Sequence, residues 1–260
     1  MQAFSEKGHA CARSWTDLVQ ACNTVVLAVY DTDGVIDVAH RLRMARKALD
    51  MDDRGMKWID CSTGDPTRIE NLARELSSQG IGLIEAPLSG SSVQIEQGQA
   101  TLWASGQARD LDEVEPILKA LSPKVIRVGK SGMASRAKLA TNLVLGLNRS
   151  ALAEGMVLAQ TLGIDADTFL QLVLASPARS AAAEVKGQMM VQRSFAPQSR
   201  IHQHLKDIHL MLDLAARQGQ CLPLSQAHAQ LLQSAIDAGD GELDNAGIVL
   251  QIERSKTRPQ

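Results

Sequence analysis

Up to about residue 130 the chain alternates short β-rich runs with segments of helical periodicity, and beyond that point only helical patterns follow. The runs are NTVVLAVY (23–30), KWIDCST (57–63), GLIEAPLSG (82–90), TLWASG (101–106) and KVIRVGK (124–130). Between them, TDGVIDVAHRLRMARKAL, DPTRIENLARELSSQ and ARDLDEVEPILKAL carry apolar residues at helical spacing. Strands separated by helices are joined by crossovers, so this half is expected to be α/β with a mostly parallel sheet. The second half is expected to be all-α, built from residues 131–163, DADTFLQLVLAS, HQHLKDIHLMLDLAARQG, LSQAHAQLLQSAIDAG and NAGIVLQIER. The expected division is 1–130 and 131–260.

With 260 residues, 45% of them hydrophobic, the chain can build a substantial core. A net charge of -2 and 3% aromatic residues supply neither the basic surface nor the stacking platforms that nucleic-acid binding requires. The opening MQAFSEKGHACARSW lacks the apolar core of a signal peptide, and no run approaches 18 uninterrupted apolar residues. A soluble, cytoplasmic chain with no membrane partner is expected. Cys11, Cys22, Cys61 and Cys221 are scattered, with no CxxC pair, so neither a disulfide framework nor a metal site is expected, and they read as small buried residues. No repeat is present, and only the tail SKTRPQ reads as disordered.

One charge stands out. In SGMASRAKLATNLVLGLNRSALAEGMVLAQTLG (131–163), Lys138 lies among Ala137, Leu139 and Ala140. A single helix over 134–162 would be about 43 Å long, and its apolar residues between 137 and 147 cover most of its faces, which predicts burial. A buried ammonium is costly unless paired or facing a wet cleft, and burial shifts it toward the range useful for proton transfer. Asn142 lies at i+4, so both polar groups share a face and suit one small oxygenated ligand. The competing reading is a lysine that snorkels to solvent. Next, Ser89, Gly90, Ser91 and Ser92 close a β-rich run, at the strand end where open α/β sheets bind ligands; an ordinary polar turn is the alternative. Finally, Lys206 and Asp207 head an amphipathic helix with Leu205, Ile208, Leu212 and Ala215 on its buried side; a solvated ion pair is the alternative.

Taken together, these stretches resemble the 3-hydroxyisobutyrate dehydrogenase group of the β-hydroxyacid dehydrogenase family, which also contains 6-phosphogluconate dehydrogenase, and the resemblance runs from about residue 8 to about residue 254. The family's D-x-S-T before a proline appears as Asp60-Cys61-Ser62-Thr63 with Pro66. Its D-A-P-V-S-G-G appears as Glu85-Ala86-Pro87-Leu88-Ser89-Gly90-Ser91. Its G-x-G-x-x-x-K-x-x-x-N falls on Ser131 to Lys138 and Asn142, and its L-x-K-D on His204 to Asp207. By that resemblance Lys138 is the catalytic acid/base, Asn142 orients the substrate, and Ser89, Gly90 and Ser91 bind its carboxylate. Thr63, Lys206 and Asp207 approach the nicotinamide end of NAD or NADP, and the backbone at Tyr30 and Asp31 lines the dinucleotide groove. The resemblance also implies a homodimer or homotetramer. Arg136, Arg149 and Arg179 are candidates to neutralise a second acidic group on the substrate, with surface salt bridges as the alternative.

Two departures are substitutions: Ser91 replaces a glycine, and Glu85 replaces an aspartate. The third is that no G-x-G-x-x-G occurs in the 260 residues; Gly129-Lys130-Ser131-Gly132 lacks the third glycine and reads as a turn. Family members carry that fingerprint in a segment ahead of the part matched here. A late start, a natural short form and a remnant all remain open as explanations. Without the central first strand, NTVVLAVY is expected at a bare sheet edge. The fold class expected is therefore α/β, a truncated Rossmann-type doubly wound sheet (1–130, a partial dinucleotide-binding domain) followed by an all-α C-terminal substrate and dimerisation domain (131–260). The function expected is NAD(P)-dependent oxidation of a small β-hydroxyacid, or reduction of its aldehyde or keto acid, at an incomplete cofactor site. The alternative is a cofactor-incompetent ligand-binding or interaction module.

Overall fold

The computed structural model describes residues 6–255. Two compact units emerge, residues 1–90 with 94–138, and residues 91–93 with 139–260. The division falls inside a helix, eight residues beyond the strand-to-helix change at 130/131.

The first unit is a six-stranded mixed sheet flanked by helices. Its strands are β1 (Thr24–Leu27), β2 (Lys57–Asp60), β3 (Gly82–Glu85), β4 (Leu88–Ser89), β5 (Thr101–Ser105) and β6 (Lys124–Gly129). Its helices are α1 (Trp15–Ala21), α2 (Thr32–Ala48), α3 (Pro66–Ser77), α4 (Ser92–Glu96) and α5 (Ala108–Leu121), of which α4 straddles the division. β1, β2 and β3 run parallel, as does β6 beside β5. Two pairings depart from the parallel expectation: β5 meets β3 antiparallel through Glu85 and Ser105, and β4 is antiparallel to β5. The run 82–90 is thus two strands broken at Ala86-Pro87, because a proline cannot donate to the ladder.

Strand alternation explains the two cores. Trp58 and Leu83 point to one face, where they meet Val19, Val35, Leu42, Ile69 and Leu76 from α1, α2 and α3. Their neighbours Ile59 and Ile84 point to the other and join Leu102, Leu111, Val114 and Leu118. Every residue of β2 and β3 is buried, as expected for strands covered on both faces. β1 ends the pairing path, with Val26 43% exposed.

The second unit is helical. α6 (Met133–Thr161) enters it from the first unit, followed by α7 (Ala166–Leu174), α8 (Ala181–Gln192), α9 (Ile201–Arg217), α10 (Pro223–Asp237) and α11 (Ile248–Arg254), the last preceded by a 3-10 turn at Asn245–Gly247. Leu152, Met156, Leu170, Met190, Leu205, Ile208, Met211, Leu232 and Ile248 form its core. A buried ion pair, Lys186 to Asp244 at 2.8 Å, ties α8 to the loop before α11, and Asp244 also accepts from the backbone of Gln198, Ser199 and Ala246.

Several sequence expectations need correction. α6 is not covered all round: Val144, Leu145 and Leu158 stand exposed, as does Leu162 just beyond its end, because one apolar side satisfies the core. Cys11 and Cys221 are exposed and Cys22 and Cys61 half-buried, so none is a fully buried residue. Arg149 makes no surface salt bridge; it is 4% exposed, and burial pushes its guanidinium down to about 10 despite Asp244. Arg136 and Arg179 do form bridges, to Glu70 at 2.9 Å and Glu184 at 2.6 Å. The sequence expectations did not include α1, α4 or α8; α1 and α4 are short, and AAAEVKGQMMVQ sets Lys186 and Gly187 on its buried side, which blurs its period. Beyond Ser255, the tail expected to be disordered lies outside the described residues.

Gly146 shows how closely the helical unit packs. A Cβ there would collide with the His204 ring and come within 2.9 Å of His228 Cε1, the two rings lying 5.1 Å apart. Gly146→Ala should therefore lower stability by about 1–3 kcal/mol, although alanine is the better helix former. A melting temperature equal to or above that of the wild type would contradict this.

Candidate active site

The carboxyl end of β3 organises the first unit. Glu85 is 1% exposed, and its carboxylate accepts from Ser105 Oγ (2.7 Å), from the Ser135 backbone N–H (3.2 Å), and from Gly132 N–H and Ser135 Oγ at short range. Ser105 Oγ in turn accepts from Ala134 N–H at 3.1 Å. The first amides of α6, which have no intrahelical acceptor, are thus satisfied by a carboxylate anchored in the sheet, the sign that the helix dipole favours.

Lys138 lies one turn beyond Ser135, is 8% exposed, and its Nζ donates to the Leu88 carbonyl at 2.6 Å. The ammonium stands 5.7 Å from the centre of the Trp103 ring, within cation–π range. The snorkelling alternative is excluded by this burial. Ser89 follows directly in β4, half-buried and paired with Thr101. Gly90 is exposed, but a Cβ there would approach Ala100 Cβ to 3.0 Å, which explains a glycine at the turn; Ser91 is half-buried. No sequence signal singled out Trp103, Ser105 or Ser135, whose roles arise from pairings 20 to 50 residues apart.

The loops after β1 and β2 lie side by side. Val29 N–H donates to Ser62 Oγ at 3.0 Å, and Asp65 N–H to Thr32 Oγ1 at 2.7 Å. Tyr30 is 55% exposed and Thr63 half-buried, which suits residues lining a groove for the nicotinamide end of a dinucleotide. Asp31 is different: its carboxylate caps α2 through Gly34 N–H at 2.9 Å, so only its backbone is available to line that groove. Asp65 seals α3 in the same way. Ser14 and Asp31 each cap a single amide, of α1 and α2, and Asp65 caps two of α3.

Within the helical unit, Asn142 Nδ2 donates to Asp207 Oδ2 at 3.3 Å, and Lys206 Nζ lies 3.5 Å from Asp207 Oδ1. Asp207 is 6% exposed, not part of a solvated pair, and it holds two polar side chains at once. Among the described residues no group of three or more His, Cys, Asp or Glu side chains could hold a metal, and no helix is long and apolar enough to cross a membrane.

Comparison with known proteins now decides the family. The model of the NAD binding domain of 6-phosphogluconate dehydrogenase matches residues 1–129, and that of the NAD-binding domain of NADP-dependent 3-hydroxyisobutyrate dehydrogenase matches residues 132–252. The chain belongs to the β-hydroxyacid dehydrogenase family. Both models describe nicotinamide-dinucleotide domains, so NAD or NADP is the cofactor that this membership assigns. Among related β-hydroxyacid dehydrogenases, an L-threonate dehydrogenase of Cupriavidus necator is 28% identical over 96% of this chain and 83% of its own length. A 2-hydroxy-3-oxopropionate reductase of Escherichia coli is 26% identical over 91% and 80%. The solved structure of a 3-hydroxyisobutyrate dehydrogenase from Salmonella typhimurium superposes with a TM-score of 0.83 at 27% identity, covering 95% of this chain and 86% of that one.

Asp60, the first residue of the D-x-S-T match, carries a measurable consequence. Burial pushes its carboxyl up to about 6, against the pull of the Ser62 hydrogen bond and with a smaller push from Glu85. The folded state therefore binds this proton more tightly than the unfolded state. The stabilisation is complete below about pH 4 and lost as pH rises through about 6, a change of about 3 kcal/mol. Asp60→Asn keeps an acceptor for Ser62 N–H and removes the titration. The stability difference between variant and wild type, from urea midpoints, should move in the variant's favour between pH 4 and pH 7; a pH-independent difference would refute the assignment.

Proposed function

We propose that this chain is an NAD(P)-dependent oxidoreductase that interconverts a small β-hydroxyacid and the corresponding aldehyde or keto acid, with Lys138 as general acid/base. The observation that carries the reading is the setting of Lys138, a buried ammonium held by the Leu88 carbonyl one residue before the Ser89-Gly90-Ser91 turn. Its relatives favour the same class: by their names, one acts on L-threonate and another reduces 2-hydroxy-3-oxopropionate.

In this reading the hydroxyl and amide groups of Ser89, Gly90 and Ser91 hold the substrate carboxylate. In oxidation the Lys138 amine accepts the substrate's hydroxyl proton, and in reduction the ammonium returns it to the forming alkoxide. A bound nicotinamide supplies the hydride acceptor in the first direction and the donor in the second. Asp207 takes one N–H of Asn142 and so fixes the amide, leaving its other polar atoms for the substrate. Tyr30, the Asp31 backbone and Thr63 line the cofactor groove, and Lys206 approaches the nicotinamide ribose. Residues 1–130 form the dinucleotide part and 131–260 the substrate and dimerisation part. The exposed apolar side chains Val144, Leu145, Leu158 and Leu162 support a homodimer or homotetramer. A cytoplasmic location goes with this reading.

One observation favours the alternative of a binding module without redox chemistry, namely that no G-x-G-x-x-G occurs in the 260 residues. Titrating the 260-residue chain with NADH and NADPH by nicotinamide fluorescence separates the two. Saturable binding to either supports the enzyme; its absence in a folded chain supports the module. Where turnover is found, Lys138→Ala should lower kcat by about 10² to 10⁴ with the fold intact, and near-wild-type turnover would overturn the acid/base role. Lys206→Ala should raise the cofactor Kd more than it changes kcat, and an unchanged Kd would overturn that placement.

A further inference from the structure

We propose that Glu85 is the positioning residue of Lys138, setting where its Nζ stands by locking the first turn of α6 to the sheet. The inference rests on the acid/base reading above for its catalytic meaning, but the positioning itself is a property of the fold.

The contacts around Glu85 and Lys138 form a closed circuit. Glu85 Oε1 accepts from both the backbone N–H and the hydroxyl of Ser135, and Oε2 accepts from Gly132 N–H and Ser105 Oγ. From Ser135 the helix rises one turn to Lys138, on the same face because residues three apart on a helix are neighbours. Lys138 Nζ then donates to the Leu88 carbonyl, three residues after Glu85. The segment 85–88 therefore grips the helix at one end and the ammonium at the other. Trp103 completes the enclosure: its backbone N–H donates to the Pro87 carbonyl at 3.1 Å, and its ring lies against the ammonium. A shift of α6 along its axis would break the Glu85 contacts and the Lys138 to Leu88 bond together.

The chemistry explains why a carboxylate is needed. An amide at position 85 offers one accepting oxygen and places a donating NH₂ against amide or hydroxyl donors, leaving buried N–H groups unsatisfied. A leucine would abandon all four bonds. An aspartate keeps both oxygens on a side chain one methylene shorter, so Glu85→Asp is the conservative variant.

The test reads Lys138 itself. The folded 260-residue chain is acylated with limiting acetic anhydride across a pH series, and the modification rate of Lys138 is followed by peptide mass spectrometry against that of exposed Lys47. Glu85→Gln should raise the Lys138 rate relative to Lys47 by about tenfold, as the ammonium leaves the Leu88 carbonyl, and should displace its pH midpoint. Glu85→Asp should restore the wild-type ratio to within about threefold. A role confined to stability would lower the melting temperature of Glu85→Gln yet leave the ratio and midpoint of the folded protein unchanged, which would overturn the proposal. Should Glu85→Gln not fold, Ser135→Ala removes one hydroxyl from the same carboxylate and should raise the ratio by a few-fold; an unchanged ratio is again a refutation. Where turnover is measured, Glu85→Gln should lower kcat with little change in substrate KM. Full activity in Lys138→Ala would defeat the acid/base reading while leaving the acylation result to decide the positioning role.

Discussion

A single buried carboxylate holds the start of the longest helix. Glu85 sits where β3 ends, and the unpaired amides of α6 converge on it together with two serine hydroxyls. Both oxygens of this buried group are hydrogen-bonded, and they face the start of a helix. Without that group, at least two buried backbone donors would lack acceptors. The ammonium of Lys138 depends on the same arrangement, since the carbonyl that receives it belongs to the segment that Glu85 begins.

Around that anchor the sheet is built for burial on both sides. Trp58 and Ile59, or Leu83 and Ile84, are sequence neighbours that serve opposite cores, so β2 and β3 have no solvent face at all. Polar groups reach such a sheet only at strand ends, which is where Asp60, Glu85, Ser89 and Ser105 lie. The raised Asp60 carboxyl and the Cys61 thiol, pushed up to about 12 by burial, are consequences of the same exclusion of water. Thiolate formation at this cysteine is thereby disfavoured.

The helical unit answers a different problem with similar means. Lys186 and Asp244 pair deep inside it, burial with a smaller push from Arg149 lowers Lys186 against the pull of Asp244, and His228 is pushed down to about 4, first by burial and then by Arg149. Burial thus disfavours the charged form of the histidine, which packs as a ring against Gly146. Asp207 has the analogous part on α9, where one carboxylate meets Asn142 and Lys206.

Much of this was legible in the order of residues. Alternating strand and helix periodicity specified the α/β half and the helical half, and α5 begins and ends where its apolar spacing does. The motif around Lys138 was recognisable because a charge stands where the helical pattern demands none. Local order could not reveal which carbonyl receives that charge, since Leu88 lies 50 residues away. Nor could it tell which side of an apolar helix the core would use, so Val144 and Leu158 read as buried and stand exposed. Proline at 87 hinted at a break without showing that β4 would turn back against β5. Periodicity and turn chemistry act between neighbours in sequence, and these the chain alone determined. Burial, hydrogen-bond partnership and charge environment belong to groups that meet only after folding, and those only the tertiary structure decided.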